Sequence, residues 1–215
     1  MFGRRTRSTS DEPDTLPTVA STGSGPYDSS EIDDDDGVSR VDLGGLLVGA
    51  AEGVELRLQA DQNTGVVSSV LVATEGAALE LRPFAAPKSG GLWDEVRREI
   101  AAEAAQQGGT ASESVGEHGS ELKLQVPVKT PDGRHAVQVS RIVGVEGPRW
   151  FLRGTFLGRA AAEPDPDGLL ERALRDVVVV RGQLAMPPRE AIPLRLPPDA
   201  RAGPAVPPAE DPATP

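Results

Sequence analysis

The sequence predicts an α+β domain in which two helices pack on a largely antiparallel β-sheet, between disordered N- and C-terminal tails. From about residue 38 to 197 the apolar side chains recur mostly with a period of two, which is typical of half-buried strands. In one long segment the spacing changes to i, i+4, which indicates a helix. Both ends of the chain are too polar and Pro-rich to bury a core. Hairpin-connected strands with few helices favour this layering over a Rossmann arrangement.

Three or four antiparallel strands are expected at the start of the domain. Alternation of apolar and polar side chains marks them, and a loop at 61–65 joins two of them into a hairpin. A turn at Thr74-Glu75-Gly76 separates the last two. The predicted strands are 41–48, 54–60, 66–73 and one around Leu79 and Leu81.

The clearest helix is predicted over residues 91–107. Leu92, Val96, Ile100 and Ala104 recur at helical spacing and form one apolar face. Gly108-Gly109 follows, and glycine just past a helix end is the usual stop signal.

A second hairpin follows the helix. Residues 122–128 alternate, and Pro131-Asp132-Gly133 is a strong turn signal before Val137 and Val139. Pro127 cannot donate to a ladder, so its strand should be an edge or contain a bulge there.

The last part of the domain contains a segment, 149–157, that is apolar on both faces. It should therefore be a central strand that is covered from both sides. Asp165-Pro166-Asp167 can begin a short helix after it, and 177–180 should be extended. The domain boundaries follow: a disordered tail with an acidic run at 1–37, one α+β domain at 38–197, and a disordered Pro-rich tail at 198–215.

Composition excludes several classes of protein. The chain has no cysteine, which removes disulfide frameworks, thiolate metal sites and thiol nucleophiles. Its net charge of −11 argues against general nucleic-acid binding. No apolar run approaches the roughly 18 residues of a membrane span, so no membrane insertion is expected. The basic start has no apolar segment after it, which leaves the cytoplasm as the default location.

Seven blocks of the sequence carry a resemblance to a known family: Gly25-Pro26-Tyr27-Asp28, Arg40-Val41-Asp42-Leu43-Gly44, Phe84-Ala85-Ala86-Pro87, 91–97, 147–154, 178–182 and 186–190. Together they resemble an actinobacterial domain-of-unknown-function family, number 3710. The resemblance spans about 25–198 and implies no reaction, cofactor or catalytic residue. The order of elements is also similar to the sandwich shared by photosystem accessory proteins and a nuclear-transport cofactor, which implies a fold alone.

Neither metal nor cofactor is expected from the polar residues. His118 and His135 lack any metal-site spacing, and ordinary surface histidines are the favoured interpretation. The acidic residues Glu31 and 33–36 end in Gly37, but the count from that glycine fails the EF-hand pattern. A solvated tail is favoured there, and contact with a partner through charge is the alternative.

One interpretation of Ser89, Gly90 and Gly91 is an anion site, because these residues precede the long helix and its free amide groups. The segment matches neither phosphate-loop motif, and a plain loop is the favoured interpretation. Ser89 also lacks the G-x-S-x-G setting of a hydrolytic nucleophile.

Arg149, Arg153 and Arg181 lie beside or within aromatic and apolar segments, so each needs an acceptor or a ring to stack on. A structural pair with Glu146, Asp176 or the C-terminal segment is one interpretation. An acidic ligand or partner is the other. Trp93, Trp150, Phe84, Phe151 and Phe156 are expected in the core.

The sequence favours a non-catalytic protein-interaction or assembly module with an unknown protein partner. The alternative is an enzyme that binds a small anion or nucleotide in an Arg-lined site, so enzymatic activity is disfavoured but open. No catalytic, cofactor-binding or metal-binding residue is assigned, and the oligomeric state is undetermined. The predicted partner or anion contacts are Arg149, Arg153, Arg181, Ser89, Gly90 and Gly91.

Overall fold

The computed structural model describes residues 25–33, 36–60, 66–130 and 133–197. Within these residues there are eleven strands and three helices. In chain order they are β1 (Tyr27–Asp28), β2 (Arg40–Asp42), β3 (Leu46–Gly49), β4 (Glu55–Ala60), β5 (Val67–Thr74), β6 (Ala77–Ala85), α1 (Leu92–Gln106), β7 (Thr110–Gly116), β8 (Gly119–Lys129), β9 (His135–Gly147), β10 (Trp150–Gly158), α2 (Arg159–Ala162), α3 (Leu169–Arg175) and β11 (Val178–Val179).

The strands form two sheets. The larger is antiparallel, with seven strands in the order β4-β5-β6-β10-β9-β8-β7. The smaller has the order β1-β11-β3-β2, and its β1–β11 pair is parallel. The predicted α+β class with a largely antiparallel sheet is confirmed, and two of the three helices have seven or more residues.

The large sheet buries both of its faces around β10. On one face Trp150, Leu152 and Phe156 belong to a core shared with the small sheet and α3. On the other face Phe151 packs in a second core under α1, with its ring 5.8 Å from that of Trp93. Side chains alternate along a strand, so β10 serves both cores. The predicted central strand is confirmed.

Helix α1 agrees with the prediction and packs on β7, β8 and β9. Its buried side chains include Leu92, Val96, Ile100 and Ala104. The indole of Trp93 lies directly on the backbone of Gly144, in the space that a Cβ atom there would need. Any larger residue at 144 would push the helix away from the sheet.

Both predicted hairpins are present, β4 with β5 and β8 with β9. The loop 61–65 lies outside the described residues. Strand β8 pairs with β7 only as far as Gln125. Pro127 therefore lies beyond the end of β7, where β8 is an edge, as predicted.

Three features differ from the prediction. Residues 41–48 form two strands rather than one, because a turn at Gly44 (φ +79°) folds β3 back on β2. Helix α2, a single turn, was not predicted. Strand β1 lies inside the stretch 1–37 assigned to a tail, so the folded domain extends upstream of the predicted boundary at 38. Residues 1–24 and 198–215 lie outside the described residues.

The N-terminal segment is anchored to the core by Asp28. Its carboxylate accepts a hydrogen bond from the buried indole Nε1 of Trp150 at 2.7 Å and another from the backbone N–H of Ser30 at 2.9 Å. Trp150 and Asp28 are both buried, at 2% and 8% exposure. A buried donor without an acceptor is costly, so Asp28 is tied to the position of Trp150.

Residues 186–195 form an irregular segment with a turn at 188–189, which we call the strap. Its backbone N–H groups donate to the carbonyls of Ala85 (from Arg189, 2.8 Å), Pro83 (from Ile192, 2.9 Å) and Leu43 (from Arg195, 2.7 Å). The guanidinium of Arg189 also pairs with Glu95 and Glu99 of α1 at 2.8 and 2.9 Å. The strap thus ties both sheets and α1 together.

We expect Asp28→Ala to lower the free energy of unfolding mainly by leaving the Trp150 indole N–H without an acceptor. A double-mutant cycle with Trp150→Phe, measured by urea unfolding, should give a coupling of about 1.5–3 kcal/mol, the value of a hydrogen bond to a charged group. The cycle removes the separate cost of the Ser30 contacts. Additive losses would show that Asp28 does not stabilise the domain through Trp150.

Candidate functional site

An open pocket lies where the β2–β3 turn, the loop after β11 and the strap meet. Its volume is about 260 Å³. We call it the strap pocket. It is lined by Gly44, Gly45, Val180, Arg181, Gly182, Leu184, Met186, Ile192, Pro193 and Arg195.

Backbone contacts set the walls of the strap pocket. Val180 donates its N–H to the carbonyl of Gly45 at 3.0 Å, which fixes the loop after β11 against the β2–β3 turn. A Cβ atom on Gly45 would lie 2.7 Å from the side chain of Ile192 and 2.9 Å from the carbonyl oxygen of Pro193. The strap can therefore lie this close to the turn only because residue 45 is glycine.

The pocket combines an apolar floor with a basic rim. Met186 and Ile192 contribute to the floor, and Leu184 is 81% exposed beside it. Two of the ten lining residues are arginines and none is acidic. The nearby carboxylate of Asp42 accepts the N–H of Gly44 at 2.7 Å. In a chain with 33 acidic and 22 basic residues, this is a local reversal of charge.

Of the three arginines singled out from the sequence, Arg181 lines this pocket and Arg149 is hydrogen-bonded to two of its lining residues. Arg181 is 8% exposed, and it donates to the carbonyl oxygens of Arg149 (3.2 Å) and Leu184 (3.1 Å). Arg149 in turn reaches the carbonyl oxygen of Gly182 at 3.4 Å. These acceptors are backbone groups rather than the carboxylates of Glu146 or Asp176. Arg181 holds the rim together, and Arg149 lies at its outer edge.

Arg149 occupies a strained backbone position. It is the second residue of the Pro148-Arg149 turn between β9 and β10, and its φ is +63°. Only glycine adopts this left-handed region without cost. A bulky residue is therefore held there at the expense of stability, which is common at binding sites.

Arg153 lies away from the strap pocket. It is on the face of β10 opposite Trp150, 8% exposed, with its guanidinium 5.7 Å from the ring centroid of Phe84. It lies directly across from Arg82 of β6, whose guanidinium donates to the Ser68 hydroxyl at 3.2 Å. Its proposed role as a partner contact stays a prediction.

The loop at Ser89, Gly90 and Gly91 also lies away from the pocket. The amide groups that begin α1 already hold an anion from this chain. The carboxylate of Glu146 accepts the backbone N–H groups of Gly91 at 2.8 Å and Trp93 at 2.6 Å. Glu146 thus caps α1 from strand β9, which explains its absence from any pair with Arg149.

The acidic run is partly engaged within the chain. Glu31 accepts the N–H of Asp28 at 2.8 Å, and Asp36 pairs with Arg40 at 2.7 Å. Hydrogen bonds from the Val38 amide and the Arg40 guanidinium lower the pKa of Asp36. Residues 34 and 35 lie outside the described residues. The role of this run as a contact group stays a prediction.

Within the described ranges, no three His, Asp or Glu side chains converge in a way that could hold a metal ion. His118 is half-buried at the tip of the β7–β8 hairpin, and this burial lowers its pKa. His135 is exposed at the start of β9.

A buried ionic cluster was not found from the sequence. Arg141 of β9 donates to Glu121 of β8 at 3.1 Å and to Glu171 of α3, and its guanidinium stacks 3.9 Å from the centroid of Phe156. All three charged residues are at most 9% exposed. Arg141 is two residues from both Val139 and Val143, so it shares their face of β9, which is the core face. An arginine at an inward position was the available signal.

Comparison with known proteins agrees with the sequence blocks. A family model described as "Protein of unknown function (DUF3710)" matches residues 25–203. The chain belongs to this family. The matched region of this DUF3710 protein begins just before β1 and includes the whole strap, so both lie within the family domain. No curated protein matches the chain. None of the helices in the described ranges has both the length and the apolarity of a membrane span.

Arg149→Gly should raise the free energy of unfolding by about 1 kcal/mol. The glycine removes the strain of the left-handed conformation, and it keeps the backbone carbonyl that accepts the hydrogen bond from Arg181. Urea unfolding of Arg149→Gly and Arg149→Ala separates the two effects. The alanine variant loses the guanidinium but keeps the strain. A glycine variant no more stable than the alanine variant would contradict the assignment of strain.

Burial raises the pKa of the Glu171 carboxyl from its ordinary value of 4.5, and Arg141 opposes this shift. The folded state then holds this proton more tightly than the unfolded chain, so stability should fall as pH rises above about 4.5. In unfolding measurements from about pH 4 to 7, the free energy of unfolding of Glu171→Gln should therefore rise relative to that of the wild type as pH increases. The exposed Glu75→Gln is the matched control. The prediction would be overturned if the free energy of unfolding of the wild type rose relative to that of Glu171→Gln over this range.

Proposed function

We propose that this protein is a non-catalytic protein-interaction module and that the strap pocket is where its partner docks. The observation that carries the proposal is the exposed apolar patch with an arginine rim. Leu184 stands 81% exposed beside the floor formed by Met186 and Ile192. Exposed apolar surface rimmed by polar groups is typical of docking sites, and arginine is enriched in their energetic centres.

The chemistry of the lining favours binding over catalysis. The ten lining residues are glycines, aliphatic residues, methionine, proline and arginine. None of these side chains serves readily as a nucleophile or as a general base at neutral pH. An arginine rim can hold an anion, but the lining offers no group to transfer a proton to or from it.

The pocket is also preorganised. The strap is hydrogen-bonded to β6 and to the β2–β3 turn, and the buried Arg181 braces the loop that carries Leu184. A rigid surface loses little conformational entropy when a partner binds, so more of the contact energy appears as affinity.

Charge indicates the kind of partner. The chain carries a net charge of −11, which disfavours nucleic acid as a general partner. The strap pocket itself is lined by two arginines and no acidic residue, so a partner carboxylate that docks there should be held more weakly as salt rises. The proposed setting is the cytoplasm.

We expect Leu184→Asp to reduce recovery of the partner from lysate of the source organism by at least about tenfold, since it places a charge on the apolar patch. Val115→Asp is the matched control, because Val115 is 86% exposed at the distant β7–β8 hairpin. Full-length tagged chains should be compared at low and high salt. Equal recovery by wild type and Leu184→Asp, or turnover of a nucleotide or phosphoester by the purified protein, would defeat the proposal.

A further inference from the structure

We infer that the strap pocket recognises an extended partner segment in which one apolar side chain is flanked by a carboxylate. This inference rests on the proposed function, since it names the chemistry of the partner at the same pocket. Three features of the pocket carry it: its size, the two outer arginines and the open backbone at Gly182.

The size of the pocket suits a side chain. Its volume of about 260 Å³ lies below the roughly 300–1,000 Å³ that is usual for sites that enclose a small molecule or cofactor. The floor is apolar and open to solvent, beside the protruding Leu184. A single aliphatic or aromatic side chain of the partner can cover this floor and bury Leu184 by packing against it.

The rim arginines have donors to offer. The guanidinium of Arg195 makes no hydrogen bond or ion pair within the described residues, while its Cγ lies 3.2 Å from the position of a Cβ on Gly44. Its aliphatic stem is therefore packed along the turn and its head faces solvent. Arg149 uses one donor, in a long contact of 3.4 Å to Gly182. A guanidinium has five donors, and its fork matches a carboxylate.

Arg181 plays a different part. It is buried, and its donors are directed to the carbonyl oxygens of Arg149 and Leu184. It is a positioning residue that fixes the distance between the outer arginine and the exposed leucine. The carboxylate of the partner is thus expected at Arg195 and Arg149.

The backbone at the rim allows a partner main chain to approach. Gly182 has φ +69°, and no atom lies within 4 Å of the position that its Cβ would take. The partner backbone can therefore lie against residue 182 while its side chain enters the pocket. A lysine or arginine in the partner would instead be repelled by the rim, which gives selectivity against basic segments.

The test immobilises the full-length wild-type chain on beads. A displayed library of random heptapeptides is then selected for binding to it at low salt. We expect the enriched peptides to carry Asp or Glu within two positions of Leu, Ile, Met or Phe. Arg195→Glu should weaken their binding by about tenfold, which corresponds to one charge-assisted hydrogen bond, and should select basic peptides instead. Arg172→Glu is the matched control, because Arg172 is an exposed arginine on α3. Circular dichroism checks that each variant is folded.

Several outcomes would overturn the inference. Peptides without acidic residues that bind Arg195→Glu as well as wild type, but lose binding in Leu184→Asp, would refute the carboxylate and leave the proposed function intact. A dimer in sedimentation that Leu184→Asp dissolves would show that a second copy occupies the pocket. Saturable binding of a short-chain fatty acid that competes with the peptides would show a small-molecule site. No enrichment over empty beads would refute a peptide ligand. The proposed function fails on separate outcomes: equal recovery of the partner by wild type and Leu184→Asp, or turnover of a nucleotide or phosphoester.

Discussion

Strand β10 is apolar on both faces, so both of its faces must be covered, and the rest of the architecture follows from this requirement. On one side the small sheet and α3 cover Trp150, Leu152 and Phe156. On the other side α1 covers Phe151. The indole of Trp150 also carries a donor that needs an acceptor when it is buried, and Asp28 of β1 supplies it. The first described segment of the chain is thereby bound to its central strand.

The strap pocket results from how the small sheet and the strap pack together. The small sheet has short strands, and the strap runs beside it from α1, along β6, to the β2–β3 turn. Gly45 lets the strap come close, while Gly44 and Gly182 leave the rim without side chains. An apolar floor therefore stays open, with arginines at its edge.

Charged groups in this molecule fall into two kinds. Glu146, Asp28 and Arg181 satisfy buried or terminal backbone and indole groups, and the Glu121–Arg141–Glu171 cluster pairs charges within the core. Replacing one member of such a set would leave an unpaired buried group, so these residues are structural. Arg149 and Arg195 instead keep donors in solvent at an apolar patch, where a partner can use them.

The sequence by itself determined the elements whose signals are local. The i, i+4 spacing of Leu92, Val96 and Ile100 places α1, and alternation places β4, β5, β8 and the two-faced β10. Tertiary structure decided what depends on residues distant in the chain. A two-residue strand such as β1 has no period, and Glu146 caps a helix 53 positions away. The strap pocket joins Gly45, Arg181 and Arg195, which only packing brings together, because side-chain periodicity records which face is buried but not what covers it.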